Sequence, residues 1–423
     1  MSTQALLLSP RLMRLQQELE AGNQDALAAF WQEREQAGGP LIEPLEGDAA
    51  QMLVTFLWRD VDGQTRNVVV LGGPALPGAF AENQLHRLPF TDLWYRTYCV
   101  PADLRTTYQF SLNDPLTPCR EIQDVLIRMM HARTDPLNPR QMRSPLGLPG
   151  KQDFMQVSIL ELPAAPVQHW VLPQKGVPRG AVKLSMFPAQ RLQRTYHVAV
   201  YTPPVESTEP PGLLLLFDGW MYLNYMSVPT VMDNLIHAGK IAPYMVVLLS
   251  HMDYGTRRQE LLCHYPFLDF LREEFVPWIR ENYRVSSDPA RAIVGGVSAG
   301  GVAAAFTGLH APDLFSNVLS QSGTFWSSSG GDVQREGEWL TAEYERREPV
   351  ALRFSLEIGR FDRYVLIDPV AATRRFRDVL QRQGYAVDYA EFNGGHDFVC
   401  WRYSFVERFL ALAQCGEEKG ANG

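Results

Sequence analysis

The chain has 423 residues, 46% of them hydrophobic and 20% charged, which suits a folded protein with two or more domains and a sizeable core. Its formal net charge of −8 argues against a nucleic-acid binder held by phosphate contacts. Most of the positive charge is arginine, a side chain suited to planar or anionic ligands, although compositional drift accounts for the excess equally well.

The N-terminus, MSTQALLLSPRLMRLQQELEAG, reads as an amphipathic helix and not as a signal peptide. No apolar run approaches the roughly 20 residues that span a bilayer. Cys99, Cys119, Cys263, Cys400 and Cys415 are scattered and show neither a disulfide framework nor metal-ligand spacing. A cytoplasmic protein with reduced thiols is expected, without membrane or nucleic-acid partners.

Residues 9–37 predict a helix that ends at Gly38-Gly39-Pro40. Between about 50 and 112 the pattern changes to short alternating strands. MLVTFLWRDVDGQTRNVVVLGG reads as a hairpin turning at Asp62-Gly63, and DLWYRTYCVPADLRTTYQFSLND repeats the style. Several strands at this spacing predict a small β-sandwich over residues 1–150. The proline-rich stretches Thr134–Asp153 and Leu162–Gly180 read as surface linkers, with the domain linker set at 151–180.

After Gly180 the rhythm is strand–helix alternation. VKLSMF, TYHVAVYTP, GLLLLFDG, YMVVLLS, RAIVGGV, FSNVLSQSG, LRFSLEIG and AVDYAEFNG are candidate strands. Helices are expected near 228–239, 264–283, 300–310, 370–383 and 399–413. Continuous apolar strands alternating with helices imply a mainly parallel sheet covered on both faces. An α/β-hydrolase domain over 181–415 with a short tail, 416–423, is the expected architecture.

Gly296-Val297-Ser298-Ala299-Gly300 is a G-x-S-x-G motif between a β run and a helical run of small residues, the context of a nucleophile elbow. The glycines fit neither a dinucleotide fingerprint nor a P-loop. A serine hydroxyl needs a base. Two histidines follow Ser298. His310 lies on the helix after the elbow, too close in the chain to reach back, whereas His396 in FNGGHDFVCW follows the last strand. For the carboxylate that orients it, Asp362 just beyond LRFSLEIG is favoured over Glu357 inside that strand and Asp397 beside the histidine. An oxyanion hole needs two N–H donors. Ala299 supplies one, and the turn Asp218-Gly219-Trp220 after LLLLF supplies the other through Gly219 or Trp220.

The sequence resembles the enterochelin (enterobactin) esterases over nearly its whole length. FWQEREQAGGPLIEP, VTFLWRD, TDLWYRTY and TDPLNPRQ resemble that family's N-terminal domain. LLFDGWMY, TRRQEL, VGGVSAGG, LSQSGTFW, EIGRFDR and GGHDFVCWR follow in the family's order. The loop TFWSSSGGDVQREGEWL is longer and more acidic than the family pattern. The resemblance implies a serine esterase that cuts the trilactone backbone of a ferric catecholate siderophore, with no cofactor and with iron only as part of the substrate. It also implies substrate contacts from Arg257, with Glu260 as its orienting partner, and from Arg258, Trp326, Trp401 and Arg402. A generic carboxylesterase of the feruloyl or S-formylglutathione type, or a non-catalytic binding module on the same scaffold, are the alternatives. No residue before Gly180 is needed for the Ser–acid–His order, so the sandwich is expected to shape specificity and not to supply chemistry.

Overall fold

A computed structural model of the chain describes residues 9–145, 154–167, 169–205, 207–327 and 337–413. The predicted tail 416–423, Cys415 and residues 328–336 of the loop after Phe325 lie outside the described residues.

The single helix expected over 9–37 is two helices, α1 (Pro10–Glu20) and α2 (Ala26–Ala37). Gly22 takes a left-handed φ of 84°, and the Asn23 side-chain Oδ1 accepts the Asp25 N–H at 3.1 Å, a turn that competes with helical pairing. The strands β1 (Leu41–Leu45), β2 (Asp48–Arg59), β3 (Val68–Gly72), β4 (His86–Arg87), β5 (Leu93–Pro101) and β6 (Arg105–Leu112) follow, then α3 (Ile122–His131), β7 (Gln141–Pro145) and β8 (Phe154–Glu161). They form two four-stranded antiparallel sheets, ordered β1-β2-β5-β4 and β3-β6-β8-β7.

The sandwich is present, but its expected hairpins are not. β2 and β3, on either side of Asp62-Gly63, belong to different sheets, as do β5 and β6. Each pair crosses between layers and buries one face in a shared core of Val54, Phe56, Val70, Tyr108, Phe110 and Leu160. Alternating patterns fit either arrangement, because a hairpin partner and a facing sheet bury the same face. The linker expected over 151–180 contains β8, whose Val157 and Leu160 are buried. The sandwich therefore reaches Glu161.

The second half contains β9 (Ala181–Ala189), β10 (Arg194–Thr202), β11 (Gly212–Phe217), α4 (Gly219–Asn224), α5 (Val228–His237), β12 (Tyr244–Ser250), α6 (Tyr254–Leu261), α7 (Tyr265–Phe270) and α8 (Val276–Asn282). After these come β13 (Ala292–Val297), α9 (Ala299–His310), β14 (Asn317–Gln321), α10 (Trp339–Arg346), β15 (Arg353–Gly359), α11 (Pro369–Arg382), β16 (Ala386–Phe392) and α12 (Phe398–Ala413). The eight predicted strands make one sheet, ordered β16-β15-β14-β13-β11-β12-β10-β9. It is parallel from β16 to β12, and β10 runs antiparallel to both neighbours. This is the expected α/β-hydrolase architecture. The helix expected over 264–283 carries a π turn at Leu271–Phe275 between α7 and α8. Pro277 has no N–H and its ring would meet the carbonyl of Glu273, so the helix widens there.

β11 explains why an all-apolar strand is needed. Leu213, Leu215 and Phe217 enter the core on one face of the sheet, and Leu214 and Leu216 enter the core on the other. A polar side chain at any of these positions would lose its water without gaining a partner. Leu215→Ala is expected to cost about 2–5 kcal/mol in urea unfolding, since a 0% exposed side chain at the sheet centre leaves a cavity that helices on either side cannot fill.

Candidate active site

Ser298 stands between β13 and α9 with φ 56° and ψ −122°, a conformation costly for a residue with a side chain. The strain is held by close packing. A Cβ on Gly296 would lie 2.6 Å from the carbonyl carbon of Gly300, so strand and helix meet only because the position is glycine. The Ser298 N–H donates to Gln321 O at 2.9 Å, and its carbonyl accepts from Gly301 N at 3.0 Å and Thr324 N at 3.2 Å. The side chain stands at the carboxyl edge of the sheet, and the residue is half-buried.

His396 and Asp362 come together across 34 positions of sequence. The loop after β16 carries the histidine and the loop after β15 carries the aspartate. His396 Nδ1 lies 2.7 Å from Asp362 Oδ2. A carboxylate only accepts, so Nδ1 carries the proton and Nε2 is left as the basic nitrogen. Asp362 is buried, while the His396 side chain is 25% exposed. Trp401 packs edge-on to the imidazole, with ring centroids 4.7 Å apart.

The two rival carboxylates face elsewhere. Glu357 Oε1 accepts from Gln321 Nε2 at 2.7 Å and from Ser404 Oγ at 2.5 Å in the core, and burial pushes its pKa up to about 7. Asp397 binds Thr106, Thr107 and Cys400. His310 packs against Phe306 and Tyr265, and burial, reinforced by Arg347, pulls its pKa down to about 4.

The backbone donors divide. Ala299 N–H and Gly219 N–H open α9 and α4, where the first N–H groups have no partner within the helix. Trp220 N–H instead donates to the buried Ser250 hydroxyl at 2.7 Å, so of the two donors expected from this turn it is the occupied one. Gly219 is packed onto β12, where a Cβ would sit 2.3 Å from the Leu248 carbonyl carbon.

The Asp218 turn is held by Arg257, and this corrects the role expected of that arginine. Arg257 Nε and Nη2 donate to Asp218 Oδ1 and Oδ2 at 2.5 and 2.6 Å in a buried bidentate pair. Burial pulls the guanidinium pKa down, but the Asp218 charge outweighs it and holds the value above its usual one. Two of the guanidinium nitrogens are thus spent on holding this turn. Glu260 is not its partner: that carboxylate accepts from Arg194 at 2.7 Å and Tyr196 OH at 2.6 Å, and lies 2.9 Å from His251 Nε2. Trp401 is no ligand-facing residue, since it is 2% exposed and its Nε1 donates to Ser322 Oγ at 2.9 Å. Arg402 reaches Val171 O and Ser227 Oγ, each at 3.4 Å, and so ties the 162–180 connection to α12. Arg258 and Trp326 are half-buried, the latter where the chain enters residues 328–336.

Sequence reading passed over Ser250 and the pairing of Asp218 with Arg257. A carboxylate ending a wholly apolar strand was the available signal, because it requires a buried cation. Also unforeseen is a cavity of about 180 Å³ between the sandwich and the catalytic loops, lined by Leu71, Gly73 and Leu76 on one side and Phe361, Tyr364 and His396 on the other.

Residues 189–412 match the family model described as putative esterase, and residues 53–171 match the one described as enterochelin esterase, N-terminal. The chain is 26% identical to the iron(III) enterobactin esterase of Escherichia coli K12, over 91% of this chain and 96% of that one. It is 26% identical to the iron(III) salmochelin esterase of E. coli O6:H1, over 93% and 95%. Among solved structures, the Shigella flexneri enterobactin esterase in the presence of enterobactin superposes with a TM-score of 0.72 at 27% identity, over 89% and 96% of the two chains. The Salmonella typhimurium ferric enterobactin esterase gives 0.74 at 25%, over 92% and 99%.

Two outcomes follow from the charged groups. Arg257→Ala leaves a buried carboxylate unpaired and is expected to cost about 3–5 kcal/mol of stability. It should impair small neutral esters as much as bulky anionic ones, and Arg257→Lys should not restore the bidentate geometry; a selective rise in KM for the anionic substrate would instead return Arg257 to ligand binding. For Glu357, the raised folded pKa means that folding favours the neutral form. Its contribution is fully present below the ordinary value of 4.5 and is lost as pH rises through about 7. Glu357→Gln should therefore gain about 2–3 kcal/mol on wild type between about pH 5 and pH 8 in chemical denaturation. A difference that stays constant with pH would show that Glu357 does not titrate there.

Proposed function

Because the chain belongs to the esterase family and carries an enterochelin esterase N-terminal domain, we propose that it hydrolyses the ester backbone of a ferric catecholate trilactone such as enterobactin. The observation that carries this reading is the near full-length likeness to iron(III) enterobactin and salmochelin esterases, through both domains at once. An esterase site alone would fit many esters.

Ser298 is the nucleophile in this reading. His396 Nε2 takes the proton of its hydroxyl as Oγ attacks an ester carbonyl of the trilactone. Asp362 keeps the imidazole in the required tautomer and stabilises the imidazolium. Negative charge grows on the carbonyl oxygen, where the N–H groups of Ala299 and Gly219 receive it. Collapse expels the seryl alkoxide of the ring, which takes its proton from the same imidazole and leaves an acyl-enzyme. Water, deprotonated by His396, then releases the carboxylate and restores Ser298. No cofactor enters these steps, and iron belongs to the substrate. Opening the ring separates three catecholate arms that the trilactone held at high effective concentration around the metal, so iron is bound less tightly.

The cavity between sandwich and catalytic loops supports a role for the first domain as one wall of the substrate site. Cytoplasmic action fits Cys99, Cys119, Cys263 and Cys400, all free thiols. No helix among the described residues is long and apolar enough to cross a membrane.

The test is incubation of the protein with ferric and iron-free trilactones, with linear trimer, dimer and monomer followed by chromatography. Ser298→Ala is expected to bind the substrate yet lose at least about a thousand-fold in turnover, and His396→Ala a comparable factor. Turnover of p-nitrophenyl butyrate with no cleavage of either trilactone would replace this reading with a generic carboxylesterase.

A further inference from the structure

The loop that carries His396 is gripped by the N-terminal sandwich. It runs from Asn393 to Asp397 between β16 and α12, and residues 103–107, at the start of β6, hold both of its ends. Arg105 N–H donates to Asn393 O at 3.2 Å, and Asn393 Nδ2 donates to Asp103 Oδ1 at 2.7 Å. At the other end, Asp397 Oδ2 accepts from Thr106 Oγ1 at 2.9 Å and from Thr107 N–H at 3.1 Å. Asp397 Oδ1 accepts from Cys400 N–H at 3.0 Å and so caps α12, while Cys400 Sγ donates back to Arg105 O at 3.0 Å. On the far side, Arg360 N–H donates to Phe392 O at 2.9 Å and Phe361 N–H to Gly394 O at 3.0 Å. The histidine loop is thus a layer between the Asp362 loop and the sandwich.

We propose that Thr106 and Asp397 are positioning residues for the hydrolytic step, so that the N-terminal sandwich helps to place the general base even for substrates too small to touch that domain. The inference rests on the assignment of His396 as base. Its physical content is twofold. First, Thr106 is 1% exposed and its hydroxyl pins the residue next to His396, so the path of the loop, and with it the position of Nε2, depends on that bond. A displacement of about 1 Å at a reacting group can cost on the order of a hundredfold in rate. Second, three donors hold the Asp397 carboxylate. Released from them, a second acceptor would stand beside the imidazole and compete with Asp362 for its N–H. This reverses the expectation that the first domain serves specificity alone.

The experiment uses the full chain and p-nitrophenyl acetate. Active sites are counted by titration with a fluorophosphonate, and labelling at Ser298 is checked by mass spectrometry. Thr106→Val keeps the side-chain shape and removes the hydroxyl. It is expected to lower kcat per titrated site by about tenfold or more, with KM within about twofold, and to slow phosphonylation in parallel, since that step uses the same base. Thr106→Ser, which restores the donor, should recover most of the rate. Asp397→Asn keeps the shape but leaves one accepting oxygen, and should show the same split; it is the variant to read if Thr106→Val does not fold. An unchanged kcat per titrated site, or equal losses in Thr106→Val and Thr106→Ser, would overturn the proposal. A Ser298→Ala protein that is still labelled and active would instead overturn the catalytic assignment itself, whatever Thr106 does.

Discussion

The hydrogen bond between His396 and Asp362 sets a demand that the surrounding structure is built to meet. A buried carboxylate loses its water and must be given a partner, and here the imidazole supplies it at 2.7 Å. Asp362 Oδ1 has no partner among the described residues, so the pair depends on geometry more than on redundancy. Two loops, each following a different strand, must then arrive with their side chains in register. Backbone bonds from Arg360 and Phe361 to the histidine loop set their spacing. Trp401, itself fixed by Ser322, packs at right angles to the imidazole.

The same logic of buried charge governs the other side of the site. Asp218 occupies a left-handed conformation at φ 58°, at the end of a strand with no polar residue. Without Arg257 it would be an unpaired anion near the first turn of α9, where a Cβ on Gly300 would lie 3.0 Å from its Oδ2. The bidentate pair therefore holds the turn from β11 into α4, which opens at Gly219. Such a pair adds little net stability compared with an apolar contact, but breaking it is expensive. That asymmetry makes it a device for fixing geometry. Glu260, which satisfies Arg194 and Tyr196 and borders His251, holds the other end of α6 in the same way.

The two halves of the molecule are joined where this geometry is most exacting. Strand β6 meets the histidine loop, and Val365 of the acid loop donates to Pro77 O of the sandwich at 3.1 Å. A cavity remains between them beside the site. The first domain thus borders this cavity and, through the same interface, grips the loop that carries His396.

Local pattern was enough for the catalytic half. The central strands β11, β12 and β13 are unbroken runs of buried residues because both faces are covered, and the G-x-S-x-G elbow, the late histidine and Asp362 after LRFSLEIG each follow a strand's carboxyl end. The family resemblance added the substrate class and the first domain. The sandwich's pairing was not legible, because alternation states which face is buried and not whether a neighbouring strand or a facing sheet covers it. Nor were the partners of Arg257, Glu260, Trp401 and Asp397. A charged or aromatic residue in a motif has the same chemistry whether it faces a ligand or the core. Asp397 and Thr106 stand 291 residues apart, and no periodicity links them. Their pairing exists only once two domains have folded and one loop is pressed between them, so tertiary packing alone decided which charges were spent on the fold.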